Sequence, residues 1–150
     1  MMTRISFGKF ALFIVFSFCS NAASANEVME QALENSVRQA PLTAVISRVS
    51  VARVGSDDSG WDEYEYYAEV LELINGESPK DIRYSVYVEA GDDVTLDKAP
   101  ILLSLCSDGE TFYSPGVGTI FPASQSLINL ARIYALDNTT LSEVTFDICE

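Results

Sequence analysis

The sequence predicts a mainly β protein, folded as a five- or six-stranded curled antiparallel sheet or small barrel with one or two packing helices. The first observation is that most apolar segments are short, β-branched or aromatic, and alternate with polar residues at a period of two. The second is that clusters of Gly, Pro, Asp and Ser separate these segments. The third is that helical periodicity is confined to two short segments, so helices form a minor part of the fold.

The first 25 residues are predicted to be a signal peptide. Arg4 and Lys9 supply a positive start, residues 10–18 form the apolar segment, and residues 23–25 read Ala-Ser-Ala, a small-residue cleavage site. The apolar segment is too short to cross a bilayer comfortably, so cleavage is favoured over retention as an N-terminal anchor.

Cleavage leaves residues 26–150 as a single β-rich domain without a membrane span, in the periplasm or outside the cell. Cys19 raises the alternative of a lipid-anchored protein, but the bulky Phe18 before it is unlike the small residues that precede lipidated cysteines. The prediction is therefore an exported protein.

The charge of this domain restricts its partners. Without Arg4 and Lys9, seven cationic residues face 22 acidic ones, which gives a net charge of −15. Such a charge repels nucleic acid and anionic lipid surfaces, so neither is an expected partner. It favours cations and basic partners, although solubility alone is a sufficient reason for it.

Two cysteines follow the signal peptide, Cys106 and Cys149. In an oxidising compartment an even number of cysteines predicts a disulfide. This bridge closes a loop of about 44 residues and is worth about 4 kcal/mol in the chain-entropy description. The alternative is a pair of buried free thiols.

The N-terminal half of the domain predicts one helix and one strand. Residues 27–39 are typical of a short, weakly amphipathic helix, which Pro41 ends. Residues 42–54 are rich in β-branched side chains and predict a strand, with Arg48 and Arg53 spaced to face solvent.

Two alternating segments follow, residues 62–77 and residues 81–89. Within the first, the period-two pattern shifts by one residue near Val70 and Leu71, which predicts a β-bulge. Bulged strands are how small barrels bend. The side chains expected to face the core are Tyr64, Tyr66, Ala68, Val70, Ile82, Tyr84, Val86 and Val88.

The C-terminal part predicts strands around a second helix. Residues 101–106 form a buried strand, and residues 110–114 are its hairpin partner. Residues 125–135 carry a helical apolar stripe, with Ser124 as N-cap. Residues 143–149 predict a last strand with Val144, Phe146 and Ile148 facing inward.

Catalytic motifs are absent from the sequence. There is no histidine, which removes Ser-His-Asp and Cys-His arrangements and histidine-bearing zinc sites. No enzyme activity and no cofactor are expected. Two acidic loop groups are weak calcium candidates, and solvated loops are the simpler interpretation. They are Asp57, Asp58 and Asp62, and Asp92, Asp93 and Asp97.

Three aromatic residues, Trp61, Tyr67 and Tyr87, fall on otherwise polar sides of their predicted strands. If these strands are neighbours, the three rings form an exposed platform for a protein, a peptide or a glycan. Ordinary cross-strand pairing on a half-exposed sheet is the alternative.

Two phrases carry a resemblance: "YYAEVLELINGESPKDIRYSVYVE" and "APILLSLC". They are similar to the extracytoplasmic NTR-like (netrin/TIMP-like) OB-fold domains of bacteria, and the likeness extends over about residues 42–113. It implies a small OB-like barrel with a binding or inhibitory role. The N-terminal cysteine through which inhibitory members act is missing, and the second helix follows the strands. The matching residues are Val70, Glu72, Gly76, Ile82, Val86 and Cys106.

The predicted function is an exported acidic interaction module that binds a protein, peptide or glycan through an exposed side of its sheet. An acidic-residue hydrolase acting on an envelope polymer is one alternative, and it requires two inward carboxylates in a deep cleft. An envelope accessory subunit with no site of its own is the other.

Overall fold

The computed structural model describes residues 21–116, 118–137 and 147–149, with side chains from residue 25 onward. Most of the predicted signal peptide therefore lies outside the described residues. The described elements, in chain order, are α1 (Asn21–Gln39), β1 (Leu42–Ser56), β2 (Trp61–Asn75), β3 (Asp81–Glu89), β4 (Ile101–Ser107), β5 (Phe112–Tyr113), β6 (Ile120–Pro122) and α2 (Gln125–Leu136).

Five of the strands close into a ring in the order β1-β2-β3-β5-β4, since β4 also pairs with β1, and β6 adds to the free side of β4. The predicted mainly β fold with a small closed barrel and two packing helices is confirmed. The sheet is mixed rather than purely antiparallel, because β3 and β5 run parallel. An odd number of strands cannot alternate direction all the way around a closed ring, so at least one neighbouring pair must be parallel.

The predicted bulge in β2 is confirmed. Val45 is paired with Glu72 and Ile46 with Val70, so Leu71 is the extra residue of β2. Val70 packs against the barrel interior, whereas Glu72 lies on the outer side and binds Arg132 of α2. The bulge thus changes the side of the sheet to which β2 presents its residues.

The sheet has a packed core on each side. Inside the barrel, alternate residues of β1 meet residues of β2, β3 and β4; outside it, the intervening residues of β1 and β4 pack under the two helices. The interior core contains Leu42, Ala44, Ile46, Tyr66, Ala68, Ile82, Tyr84, Ile101, Leu103 and Leu105. The outer core contains Leu33, Val37, Val45, Leu102, Phe121, Leu127, Ile128 and Ala131.

Helix α1 is longer than predicted and begins at Asn21. Leu33 and Val37, four residues apart on one side of the helix, are fully buried against the outer core. Near its end, Arg38 forms an ion pair with Glu34 and another with Asp137 at the end of α2. The two helices are therefore joined by charge as well as by apolar contact.

The predicted N-cap of α2 is confirmed: the Ser124 hydroxyl accepts a hydrogen bond from the backbone N–H of Leu127 at 3.4 Å. We expect Ser124→Ala to lower the free energy of unfolding by about 1 kcal/mol, because the N–H loses its partner. Urea unfolding measures this loss. The change Ser50→Ala at an exposed serine on β1 is the control, and an equal loss in both variants would contradict a capping role.

Three predictions about the strands need correction or lie outside the structure. Arg48 was expected to face solvent, but it is paired with Ala68 and lies on the interior side, half-buried. Residues 120–122, for which no strand was predicted, form β6 against β4. Of the predicted last strand, residues 143–146 lie outside the described residues, and Ile148 and Cys149 form a turn.

Candidate binding face

The candidate site is the outward side of β2 and β3. Tyr66 and Tyr84, which are directly paired, point into the barrel, so the residues next to them along each strand point outward. The strands pair without a register shift, so the outward side chains form rows of opposite residues. This β2–β3 outer face consists of Trp61, Glu63, Glu65, Tyr67 and Glu69 on β2 and Asp81, Arg83, Ser85, Tyr87 and Glu89 on β3.

Trp61 and Tyr87 lie together at one end of this face. Trp61 is opposite Glu89 and Tyr87 is opposite Glu63, so the two aromatic residues are diagonal neighbours. Their exposed fractions are 41% and 54%, large values for aromatic side chains. The two rings therefore present apolar surface to solvent side by side.

The turn before β2 holds Trp61 in place. The carboxylate of Asp57 accepts hydrogen bonds from the backbone N–H of Ser59 at 3.0 Å and of Trp61 at 2.9 Å. On the other side, the N–H of Ala90 donates to the carbonyl of Gly60 at 2.8 Å. The same turn thus joins the start of β2 to the end of β3, which bear Trp61 and Tyr87.

Tyr67, the third predicted platform residue, is on the same face but is kept apart from the other two. It lies opposite Arg83, whose guanidinium is 5.6 Å from the centre of the Tyr67 ring and binds Glu65 at 2.6 Å. Tyr67 is half-buried. The structure thus brings together two of the three predicted aromatic residues.

Carboxylates surround the exposed aromatic pair. Partial desolvation, followed by the negative charges of Glu63, Asp108 and Asp57, raises the pKa of the Tyr87 phenol. The pKa of Asp57 is lowered by hydrogen bonds from Ser59 and Trp61, and that of Asp108 by hydrogen bonds from its own turn. Both carboxyl groups therefore stay ionised beside Tyr87. Asp108 was not predicted as part of the site, because only the register of β5 brings its turn there.

A cavity of about 260 Å³ borders the middle of the face. It opens between β3 and β5, and its walls include the acidic residues Glu65 and Glu110 together with Arg83. The cavity extends the acidic character of the face beyond its aromatic end.

The acidic loop groups are dispersed by the fold. Asp58 stays in the turn with Asp57, but Asp62 points to the interior side of the sheet, where it is buried and bound to Arg53. In the loop before β4, Asp97 accepts a hydrogen bond from the N–H of Ala99. Across the residues that the structure describes, no group of three or more acidic or cysteine side chains is placed to hold a metal ion.

The predicted disulfide is confirmed. Cys106 and Cys149 are linked, with their Cα atoms 5.3 Å apart, and Cys106 is fully buried. The Tyr113 hydroxyl donates a hydrogen bond to the carbonyl of Cys149 at 3.0 Å, and Gln39 accepts one from the N–H of Ile148. The C-terminal turn is thus attached to β4, β5 and α1 at once.

Comparisons with known proteins add no relative. No protein-family model matches the chain, and no curated protein matches it either. Among the residues that the structure describes, no helix is long and apolar enough to cross a membrane.

Proposed function

We propose that this protein is an exported interaction module whose β2–β3 outer face binds a basic segment of a protein or peptide partner. The observation that carries the proposal is the exposed pair Trp61 and Tyr87, with Glu63, Asp57 and Asp108 around it. Aromatic rings attract cationic groups to their faces, and carboxylates beside them add a charge-assisted hydrogen bond. Lysine and arginine side chains fit both requirements.

The charge of the face favours a basic peptide over a neutral glycan. Its ten residues include five carboxylates and one cation, Arg83, which is already bound to Glu65. A glycan also stacks on aromatic rings, but it gains little from five negative charges. A basic partner gains from both features, and long-range attraction also speeds its association.

Export rests on two features of the chain. One is the N-terminal sequence with its positive start and short apolar segment. The other is the Cys106–Cys149 bridge, since disulfides are rare in reducing compartments. The proposed relation to bacterial NTR-like domains is supported by the five-stranded ring and by the Gly76 turn between β2 and β3.

The geometry favours this proposal over a hydrolase. Among the described residues, Asp62 is the one carboxylate with a buried side chain, and its charge is neutralised by Arg53. A paired-carboxylate mechanism needs a second carboxyl across a cleft, one of the two with a raised pKa. The exposed aromatic pair is the feature that distinguishes a binding module.

Binding of a lysine-rich peptide tests the proposal. We expect the purified protein to bind a peptide of alternating Lys and Ser more tightly than the same peptide with Glu for Lys. Changing Trp61 and Tyr87 together to Ser should weaken that binding at least about tenfold, since central aromatic residues carry most of such interfaces. Isothermal titration calorimetry at two salt concentrations measures the affinity.

Two control variants make this test specific. Ile133→Ser removes an apolar side chain that is 60% exposed on α2, away from the face, and should leave binding unchanged. Tyr67→Ser should have a smaller effect than the double change, because Arg83 already covers Tyr67. Equal affinity for the Lys and Glu peptides, or for the double variant and the wild type, would reject the proposal.

A further inference from the structure

Arg48 is a half-buried arginine on the interior side of the barrel, and no described carboxylate is paired with it. Arg48 of β1 is paired with Ala68 of β2. Because the Ala68 side chain lies in the interior core, Arg48 points to the interior side as well. The guanidinium carbon lies 5.6 Å from the centre of the Tyr66 ring. The Nε atom is buried and has no hydrogen-bond partner in the part of the chain that the structure describes. A buried donor without an acceptor is costly, so such a group invites a ligand or an ordered water.

The other cationic groups make this arrangement unusual. Among the described residues that are positively charged, five form ion pairs with carboxylates: Arg38, Arg53, Lys80, Arg83 and Arg132. Arg48 and Lys98 form none there, although the chain contains 22 acidic residues.

Two stacked tyrosines, Tyr66 and Tyr84, lie beside Arg48. Tyr66 and Tyr84 are 6% and 3% exposed, and their rings stack with centres 5.3 Å apart and planes 10° apart. Neither hydroxyl has a hydrogen-bond partner in the described parts of the chain. Burial raises the pKa of the Tyr84 phenol, and the charge of Arg48 only partly opposes this rise. The phenol therefore keeps its proton and remains a donor.

We propose that the Arg48 end of the barrel interior binds a small carboxylate. Its two oxygens accept hydrogen bonds from the Arg48 guanidinium and from the hydroxyls of Tyr66 and Tyr84. A planar carboxylate matches the fork of an arginine, and three donors without an acceptor among the described residues favour a ligand that only accepts. This site lies on the opposite side of the sheet from the β2–β3 outer face, so it does not depend on the function proposed above.

Nuclear magnetic resonance of the ¹⁵N-labelled protein tests the site. Sodium acetate and sodium phosphate are titrated separately against sodium chloride at constant ionic strength, and the Nε–H signals of the arginines are followed. The Arg48 signal, assigned by its loss in Arg48→Lys, should move and saturate with acetate but not with phosphate. Tyr66→Phe, which keeps the stacked ring, should weaken acetate binding by about threefold to tenfold. Arg48→Lys should weaken it, measured on the Tyr84 amide, by at least about tenfold.

Arg132→Lys changes an exposed arginine that is already bound to Glu72, and it should leave the acetate affinity unchanged. Shifts that grow linearly and equally for all arginines would show that there is no site. Saturation by phosphate rather than acetate would overturn the carboxylate assignment. Saturation that survives both Tyr66→Phe and Tyr84→Phe, which remove only hydroxyls, would place the ligand elsewhere, whether or not Arg48→Lys folds.

Discussion

Loss of the Cys106–Cys149 bridge is expected to lower the free energy of unfolding by about 4 kcal/mol. The bridge spans a sequence separation of 43 residues and joins the C-terminal turn to the buried end of β4. Without it, the unfolded chain gains the entropy of that open loop. Urea unfolding of the Cys106→Ala, Cys149→Ala double variant, beside the oxidised and reduced wild type, measures the change.

A second variant separates the covalent link from its surrounding contacts. Tyr113→Phe removes the hydrogen bond to the Cys149 carbonyl and leaves the bridge intact, so it should cost only about 1 kcal/mol. If the double alanine variant lost no more than Tyr113→Phe, the bridge would contribute little to stability. The reduced wild type should agree with the double variant to within the small effect of replacing two buried sulfur atoms.

Gly76→Ala is expected to cost about 3 kcal/mol or more in stability. Gly76 has φ of +87°, which is unfavourable for a residue with a Cβ atom, and that Cβ would lie 2.0 Å from the carbonyl oxygen of Pro41. Backbone rather than a flexible side chain occupies this space, so the entry to β1 or the turn after β2 must move. Thermal and urea unfolding measure the loss.

Gly91→Ala is the matched control. Gly91 has a similar φ of +98°, but nothing lies within 4 Å of an added Cβ. Gly91→Ala should lower the free energy of unfolding by about 1–2 kcal/mol, which is the cost of the left-handed conformation alone. The difference between the two variants isolates the close approach of the Gly76 turn to Pro41, and equal losses would show that the backbone angle sets the whole cost.

Local pattern was enough to predict several elements. The observed bounds of β3, Asp81–Glu89, are those predicted, because clean alternation between two turn clusters leaves no other arrangement for a half-buried strand. The bulge at Leu71 was predicted for the same reason, since a one-residue shift of phase changes the buried side. The Ser124 cap and the paired cysteines likewise depend on neighbouring residues or on covalent chemistry.

Pairing between strands that are distant in sequence decided the features that local pattern did not predict. The three residues of β6 are too few to show a period, and they form a strand only because β4 offers them a free edge. At Arg48, the prediction of a solvent-facing side chain was wrong. The register of β1 shifts between Arg48 and Ser50, so Arg48 lies on the same side of the sheet as Arg53 although five positions separate them. Arg53 itself is exposed, as predicted.

On the β2–β3 outer face, too, local pattern predicted some features and strand pairing decided the others. Residue type and alternation were sufficient to place Trp61, Tyr67 and Tyr87 on one side of two strands, because side chains alternate along any strand. They were not sufficient to bring Trp61 beside Tyr87, to cover Tyr67 with Arg83, or to add Asp108 from the β4–β5 turn.

The sequence by itself determined the mainly β class, the bulge in β2 and the cysteine pair, since alternation and thiol chemistry act within a strand or between two residues. Only the tertiary structure decided the closed ring with its one parallel pair, the grouping of aromatic rings with carboxylates, and the enclosure of Arg48. These features depend on which strands become neighbours and in what register. Both are set by how the whole chain buries its two cores.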